Sequence, residues 1–229
     1  MEPQWHLGEV DFFSNMPAER EAFMALAQRR ELGRNDIVFF EEDAGDACFY
    51  LEKGLVRIFR IAASGKEPIF FLRRAGEMFG LAEVMDSAPR KANAQALAPC
   101  VLHAMGRENF ERYLAGNFRA AAKVIRILGR RLRYLGEQVG NLMTCDVVTR
   151  LAKLLVYIGY DELACEDAWK GPVTLPVQLT QEHMAAMTGS CQQTVSEVLS
   201  LLEEEGLIAL RKRRIVILRP LDLLRKAEH

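Results

Sequence analysis

The sequence predicts an α+β chain in three parts: an antiparallel β-barrel or sandwich, a long charged helix, and a winged helix-turn-helix. Three observations predict it. Between Leu32 and Met105 short apolar runs alternate with turn signals. From Ile125 to Leu142 apolar residues recur at steps of 3 and 4. From Leu179 onward two short helical segments meet at a glycine, followed by two apolar runs around a basic tip.

The chain has 229 residues, half of them hydrophobic, and a formal charge of −1. That is ample for one or two buried cores. Near-neutral charge excludes a histone-like protein and leaves room for a local basic patch. The five cysteines, Cys48, Cys100, Cys145, Cys165 and Cys191, are odd in number and widely spaced, with no CxxC pair. Neither a disulfide framework nor a zinc knuckle is favoured. The opening MEPQWHLGEVDFF lacks a basic leader and an apolar signal core. No apolar run approaches the ~20 residues that cross a bilayer. A reducing cytoplasm and no membrane partner are expected.

Taken in order, PAEREAFMALAQRR (17–30) suits a helix, with Pro17 at its first position, Glu19 and Glu21 near its positive end and Arg29 and Arg30 near its negative end. Then come IVFF (37–40), CFYLE (48–52), LVRIFRI (55–61), PIFFL (68–72) and CVLHAM (100–105). Even spacing of such runs argues for antiparallel strands. Residues 107–142 read as helix. Ile125, Leu128, Leu132, Leu135, Val139 and Leu142 form an a/d heptad seam among Arg119, Lys123, Arg126, Arg130, Arg131 and Arg133. The seam needs a partner. It either packs on its own barrel or pairs with a second copy, and the length and charge of the helix favour a parallel homodimer. Asp146 can cap a new helix, Val147 to Tyr160, which places a hinge at Cys145–Asp146. Residues 161–178 read as a loop with a short strand.

In LTQEHMAAMTGSCQQTVSEVLSLLEEEGLI (179–208), Ala185 lets two helices cross closely, Gly189 permits a left-handed turn, and Val195 packs the second helix on the first. Thr180 can cap the first helix. Ser190 and Gln193 form a candidate capping box for the second. That helix buries Val195, Val198, Leu199 and Leu202 and presents Gln192, Gln193, Thr194, Ser196 and Glu197. The following IALRKRRIVIL makes a wing with Arg211, Lys212, Arg213 and Arg214 at its tip. Phosphate contacts from the wing supply affinity, and base edges supply specificity. The reading helix can therefore be uncharged. Gln192 or Gln193 can pair with adenine, and Ser196 can donate or accept. Glu197 either accepts from a cytosine amino group or faces solvent.

These features resemble the CRP/FNR family, the cyclic-AMP receptor protein and its relatives. The resemblance spans nearly the whole chain. It rests on the glycine-spaced strands, on GEMFGLAEVMDSAPRKANAQA (76–96), on RRLRYLGEQVGNLMTCDVVTRLAKLL (130–155) and on the winged motif. It implies a double-stranded β-roll of the cyclic-nucleotide-binding, jelly-roll kind over residues 1–116, a dimerisation helix and hinge over 117–145, and a DNA-binding domain over 146–229. It further implies a homodimer on a two-fold-related operator of double-stranded DNA. RNA polymerase is an implied partner, reached through the loop near Ala164–Thr174.

The effector pocket implied by the resemblance would hold Gly80, Leu81, Arg90, Lys91, Leu135 and Gly136. Relatives that bind cyclic AMP carry glutamate where Leu81 stands, an Arg-Ser or Arg-Thr pair where Arg90-Lys91 stands, and Thr-Ser where Leu135-Gly136 stands. Three polar partners of a buried nucleotide are absent, which argues against cyclic AMP. Arg90 and Lys91 suggest a small anion or a solvated surface pair. Relatives with an iron–sulfur cluster place cysteines near the N-terminus; none precedes Cys48 here, which argues against a cluster. A haem remains open, with His6, His103, Cys48, Cys100 or a methionine as axial donors. Many relatives have arginine at the places of Glu197 and Gln192, so their operators do not carry over. No catalytic residues are expected. A cupin-like metalloenzyme would need a histidine cluster, and only His103 lies in the strand region. An effector-independent DNA binder is a third reading.

Overall fold

The computed structural model describes residues 11–163, 169–211 and 214–228. The chain divides into two compact units, Glu9–Arg131 and Leu132–His229.

The first unit is a roll of two four-stranded antiparallel sheets. One sheet runs in the order β1 (Gln28–Leu32), β8 (Cys100–Gly106), β3 (Ala47–Lys53), β6 (Met78–Phe79). The other runs β2 (Ile37–Phe39), β7 (Asn93–Ala96), β4 (Leu55–Phe59), β5 (Ile69–Arg74). Side chains alternate across a strand, and β3 shows why both of its faces are apolar. Phe49 and Leu51 point between the sheets, among Val38, Val56, Phe79, Ala94 and Leu102. Cys48 and Tyr50 point the other way, into a core shared with Phe13, Phe23, Leu81, Phe110 and Tyr113. That second core lies under helices α1 (Pro17–Leu26), α2 (Leu81–Asp86) and α3 (Arg107–Gly116). It also takes Ala120, Val124 and Ile127 from the first half of α4 (Phe118–Thr144).

Two expected helices differ in extent. The helix over 17–30 stops at Leu26, and residues 28–32 pair instead with β8, from Gln28 opposite Ala104 to Leu32 opposite Cys100. The helix over 107–142 is two helices. Asn117 leaves the helical conformation and donates its side-chain amide to the Tyr113 carbonyl at 2.8 Å. A new helix then starts at Phe118 and runs on to Thr144.

The second unit holds the end of α4, α5 (Val147–Gly159), a 3-10 turn (Tyr160–Leu163), α6 (Gln181–Thr188), α7 (Gln192–Glu204) and α8 (Pro220–Glu228). A small antiparallel sheet runs β10 (Ile208–Arg211), β11 (Arg214–Ile217), β9 (Val173–Thr174). Asp146 caps α5 as expected, its carboxylate accepting from the Thr149 backbone N–H at 2.8 Å. That bond holds the Asp146 carboxyl below its ordinary value. The cap is therefore fully present above the unfolded value and lost as pH falls through the folded one. Asp146→Ala is expected to cost ~1 kcal/mol, read as a lower denaturant midpoint at pH 7 that converges with wild type in acid.

Candidate DNA interface and effector pocket

The two helices of the turn motif cross as their small residues require. Met184 and Ala185 of α6 are buried, and Val195, Val198, Leu199 and Leu202 of α7 close over them. Gly189 ends α6 at φ +65, and a Cβ there would stand 2.8 Å from the Leu142 side chain, so the turn excludes larger residues twice over. Thr180 caps α6 as expected, and His183 completes a capping box. The second expected box does not form. Cys191, not Ser190, stands at the N-cap of α7 with no side-chain bond to the backbone, and its sulfur lies 3.1 Å from the Thr194 hydroxyl. That contact pulls the Cys191 thiol below its ordinary value. The Ser190 N–H instead bonds the Ala185 carbonyl, closing the end of α6.

The face of α7 turned away from the core is exposed at Gln192, Gln193, Glu197 and Ser200, with Thr194 and Ser196 half-buried beside it. Gln193 donates its amide to Glu197 at 3.1 Å, and Gln181 of α6 reaches Ser196 at 3.4 Å. The wing is tied to the same helix, because the Leu210 N–H bonds the Glu203 carboxylate at 2.8 Å. Arg211 and Arg214 face each other across the wing and are exposed. Lys212 and Arg213 lie outside the described residues, as do residues 164–168 of the expected polymerase loop.

On α4 the expected seam residues Ile125, Leu132, Leu135, Val139 and Leu142 are exposed, and Phe118 extends the row by one heptad towards the N-terminus. Leu128 departs from the row and packs half-buried on the core beneath α1 and α3. A second heptad row, Ala120, Ile127, Tyr134 and Asn141, faces inward and is buried. The expected hinge at Cys145–Asp146 falls inside the second unit, where Arg150 of α5 donates to the Cys145 carbonyl at 2.6 Å and to the Thr188 carbonyl at 2.8 Å.

The expected effector residues have different surroundings. Leu81 is buried in the helix-side core. Lys91 is exposed and 3.5 Å from Glu42, so the Arg90-Lys91 pair is neither a joint anion grip nor a solvated pair: in the loop that precedes β7 one member is buried and the other faces solvent. Arg90 turns inward, 1% exposed, beneath the rings of Phe39 and Phe49. It donates to the carbonyls of Gly80 and Ala47 and stands 3.4 Å from the Glu83 carboxylate. Burial lowers its proton affinity and Glu83 opposes that shift. Glu83, displaced two residues from where the resemblance would place a nucleotide-binding glutamate, stands instead beside Arg90. Leu135 and Gly136 are exposed on α4 in the second unit.

Beside Arg90 opens a cleft of about 710 Å³, lined in part by Val38, Phe39, Phe49, Asp43, Asp46 and Arg30. Among the described residues none of the axial donors read from the sequence, His103, Cys48, Cys100 or a methionine, lines this cleft. His103 Nε2 is held by Glu52 at 2.6 Å. The Cys48 and Cys100 thiols are pushed up by burial. His6 lies outside the described residues. Among the described residues no group of three His, Cys, Asp or Glu side chains could hold a metal, and no helix is long and apolar enough to cross a membrane.

Comparison with known proteins matches residues 29–117 to the cyclic nucleotide-binding domain family and residues 149–226 to the Crp-like helix-turn-helix domain family. The chain is similar to a CRP-like cAMP-activated global transcriptional regulator of Mycobacterium tuberculosis, at 26% identity over 92% of this chain and 93% of that one. It is similar to the cyclic AMP receptor protein of Thermus thermophilus, at 29% identity over 89% of each. The solved structure of a CRP-family transcriptional regulator from Thermus thermophilus superposes with a TM-score of 0.71 at 26% identity, covering 87% of this chain and 97% of that one.

Proposed function

The chain belongs to the CRP/FNR family of transcription regulators, and we propose that it works as a homodimer zipped along α4, each copy setting α7 and its wing on one half of a two-fold-related operator. The observation that carries this is the exposed start of α7, without lysine or arginine, beside exposed Arg211 and Arg214 on a wing anchored to the same helix. Phosphates bind to the wing cations and to the helix N-termini, and α7 reads base edges. RNA polymerase is the further partner the family implies. A small effector other than cyclic AMP, taken up at the roll cleft, sets the affinity for DNA by binding one arrangement of the dimer better than another.

A second reading has an observation of its own. Arg90, which in cyclic-AMP-binding relatives would meet the phosphate, is engaged by Ala47, Gly80 and Glu83 and covered by two phenylalanines. This favours a regulator that binds its operator without any effector. Comparing operator affinity with and without the small-molecule fraction of a cell extract separates the two.

The wing makes its own prediction. Alanine at Arg211 and Arg214 together is expected to weaken binding to every duplex alike. It should also flatten the log–log salt dependence by ~0.9 per lost phosphate contact. A titration series between low and moderate salt checks it; an unchanged slope would remove the wing from the interface.

A further inference from the structure

The paired side chains Gln193 and Glu197 suggest more than a place for DNA to lie. On α7 they stand one turn apart, both exposed, and Gln193 Nε2 donates to Glu197 Oε1 at 3.1 Å. This bond orients the amide. One of its N–H groups is taken, which leaves its carbonyl oxygen and its other N–H available to a ligand beside the exposed Glu197 carboxylate. The exposed start of α7, from Gln192 to Ser200, bears no lysine or arginine. The reading surface is therefore rich in acceptors.

In the major groove adenine and cytosine present amino groups, whereas guanine presents two acceptors and thymine one. A carboxylate facing guanine O6 and N7 meets like partial charges and loses the hydration of its own charge. We infer that the Gln193–Glu197 pair is a specificity element selecting amino-bearing bases, adenine before Gln193 and cytosine before Glu197, and excluding guanine from the second position. Gln193 keeps the acceptor and the single donor that adenine N6 and N7 require. Ser196 accepts from Gln181 of α6 at 3.4 Å. The inference rests on the reading that α7 enters the major groove.

Glu197 also repels phosphates, so removing it acts in two opposite directions. Glu197→Ala should bind random duplex more tightly, because a negative charge near the backbone is gone. It should also discriminate less between the selected operator and the same operator with guanine at the Glu197 position, by roughly tenfold. A glutamate that only faces solvent would give the first effect without the second.

The experiment selects bound duplexes from a random pool with the full-length protein, then with Glu197→Ala and Gln193→Ala. Expected in each half-site are an A·T pair whose preference is lost in Gln193→Ala and a C·G pair whose preference is lost in Glu197→Ala. A preference for a G·C pair that is lost in Gln193→Ala, a preference for an A·T pair that is lost in Glu197→Ala, or preferences unmoved by either variant, overturns the inference. Failure to enrich any sequence or retain any duplex overturns the underlying DNA reading instead.

Discussion

Leu132→Asp is expected to split the proposed homodimer and, with it, to abolish tight operator binding. Leu132 is 73% exposed and Ile125 71%, seven residues apart on one side of α4. Phe118 and Val139 continue that spacing, and Leu135 and Leu142 fill the alternate positions. Such a row on a charged helix has the spacing of the a/d face of a coiled coil. It stays in water unless a second copy covers it. In a parallel pair residue 132 meets its own symmetry mate, so aspartate there would bury two like charges without partners. An uncompensated buried charge costs ~3–5 kcal/mol, which weakens association roughly a thousandfold. Two reading heads fixed one turn of DNA apart act as a unit, so operator affinity falls with the dimer while weak binding to random duplex persists. Sedimentation equilibrium and operator titration of the same samples check this, with Leu132→Ile as the control that keeps both. A dimer that survives the aspartate would place the contact elsewhere.

How much of this is legible before the structure depends on whether the signal is local. Gly189, Thr180 and Asp146 announce their turn and caps because each answers a requirement of its own backbone. The seam is legible because its period is carried by large residues over five turns or so. Strand β1 is not. The run Gln-Arg-Arg-Glu-Leu has no apolar alternation and becomes a strand by pairing with β8, a partner about 70 residues away that propensity cannot see. The break at Asn117 hides for a similar reason: both flanking segments are helical in pattern, and only the turn of chain from α3 to α4 separates them. Ser190 and Cys191 show the limit at single-residue scale, since the spacing to Gln193 fits a capping box while Gln193 bonds Glu197 instead. Arg90 and Lys91 are indistinguishable as letters. Only the fold decides which is taken inside, and the inside one then finds Glu83 as its partner.

The same burial makes Arg90 the residue whose loss is expected to hurt the roll most. Arg90→Ala leaves the carbonyls of Gly80 and Ala47 without their donor and Glu83 without its cation, and opens a void beneath Phe39 and Phe49. Breaking a buried ion pair from one side costs ~3–5 kcal/mol. For a domain of this size the melting temperature should fall by ~10–20 °C. An arginine kept for a ligand predicts the reverse pattern, because removing it would relieve an uncompensated buried charge and leave the melting point level or higher. Gly80→Ala provides a second, independent route to the same group. Gly80 sits at φ +68, and an added Cβ would lie 2.8 Å from Arg90 Nη1, so the guanidinium must leave its carbonyls or the turn must open. Both variants should therefore melt early, and combining them should add less than the sum of the two, since each disrupts the same contacts. Additive losses would mean that Gly80 and Arg90 stabilise the roll separately. Wild-type stability in Arg90→Ala would return the guanidinium to the cleft as a free cation awaiting an anionic effector.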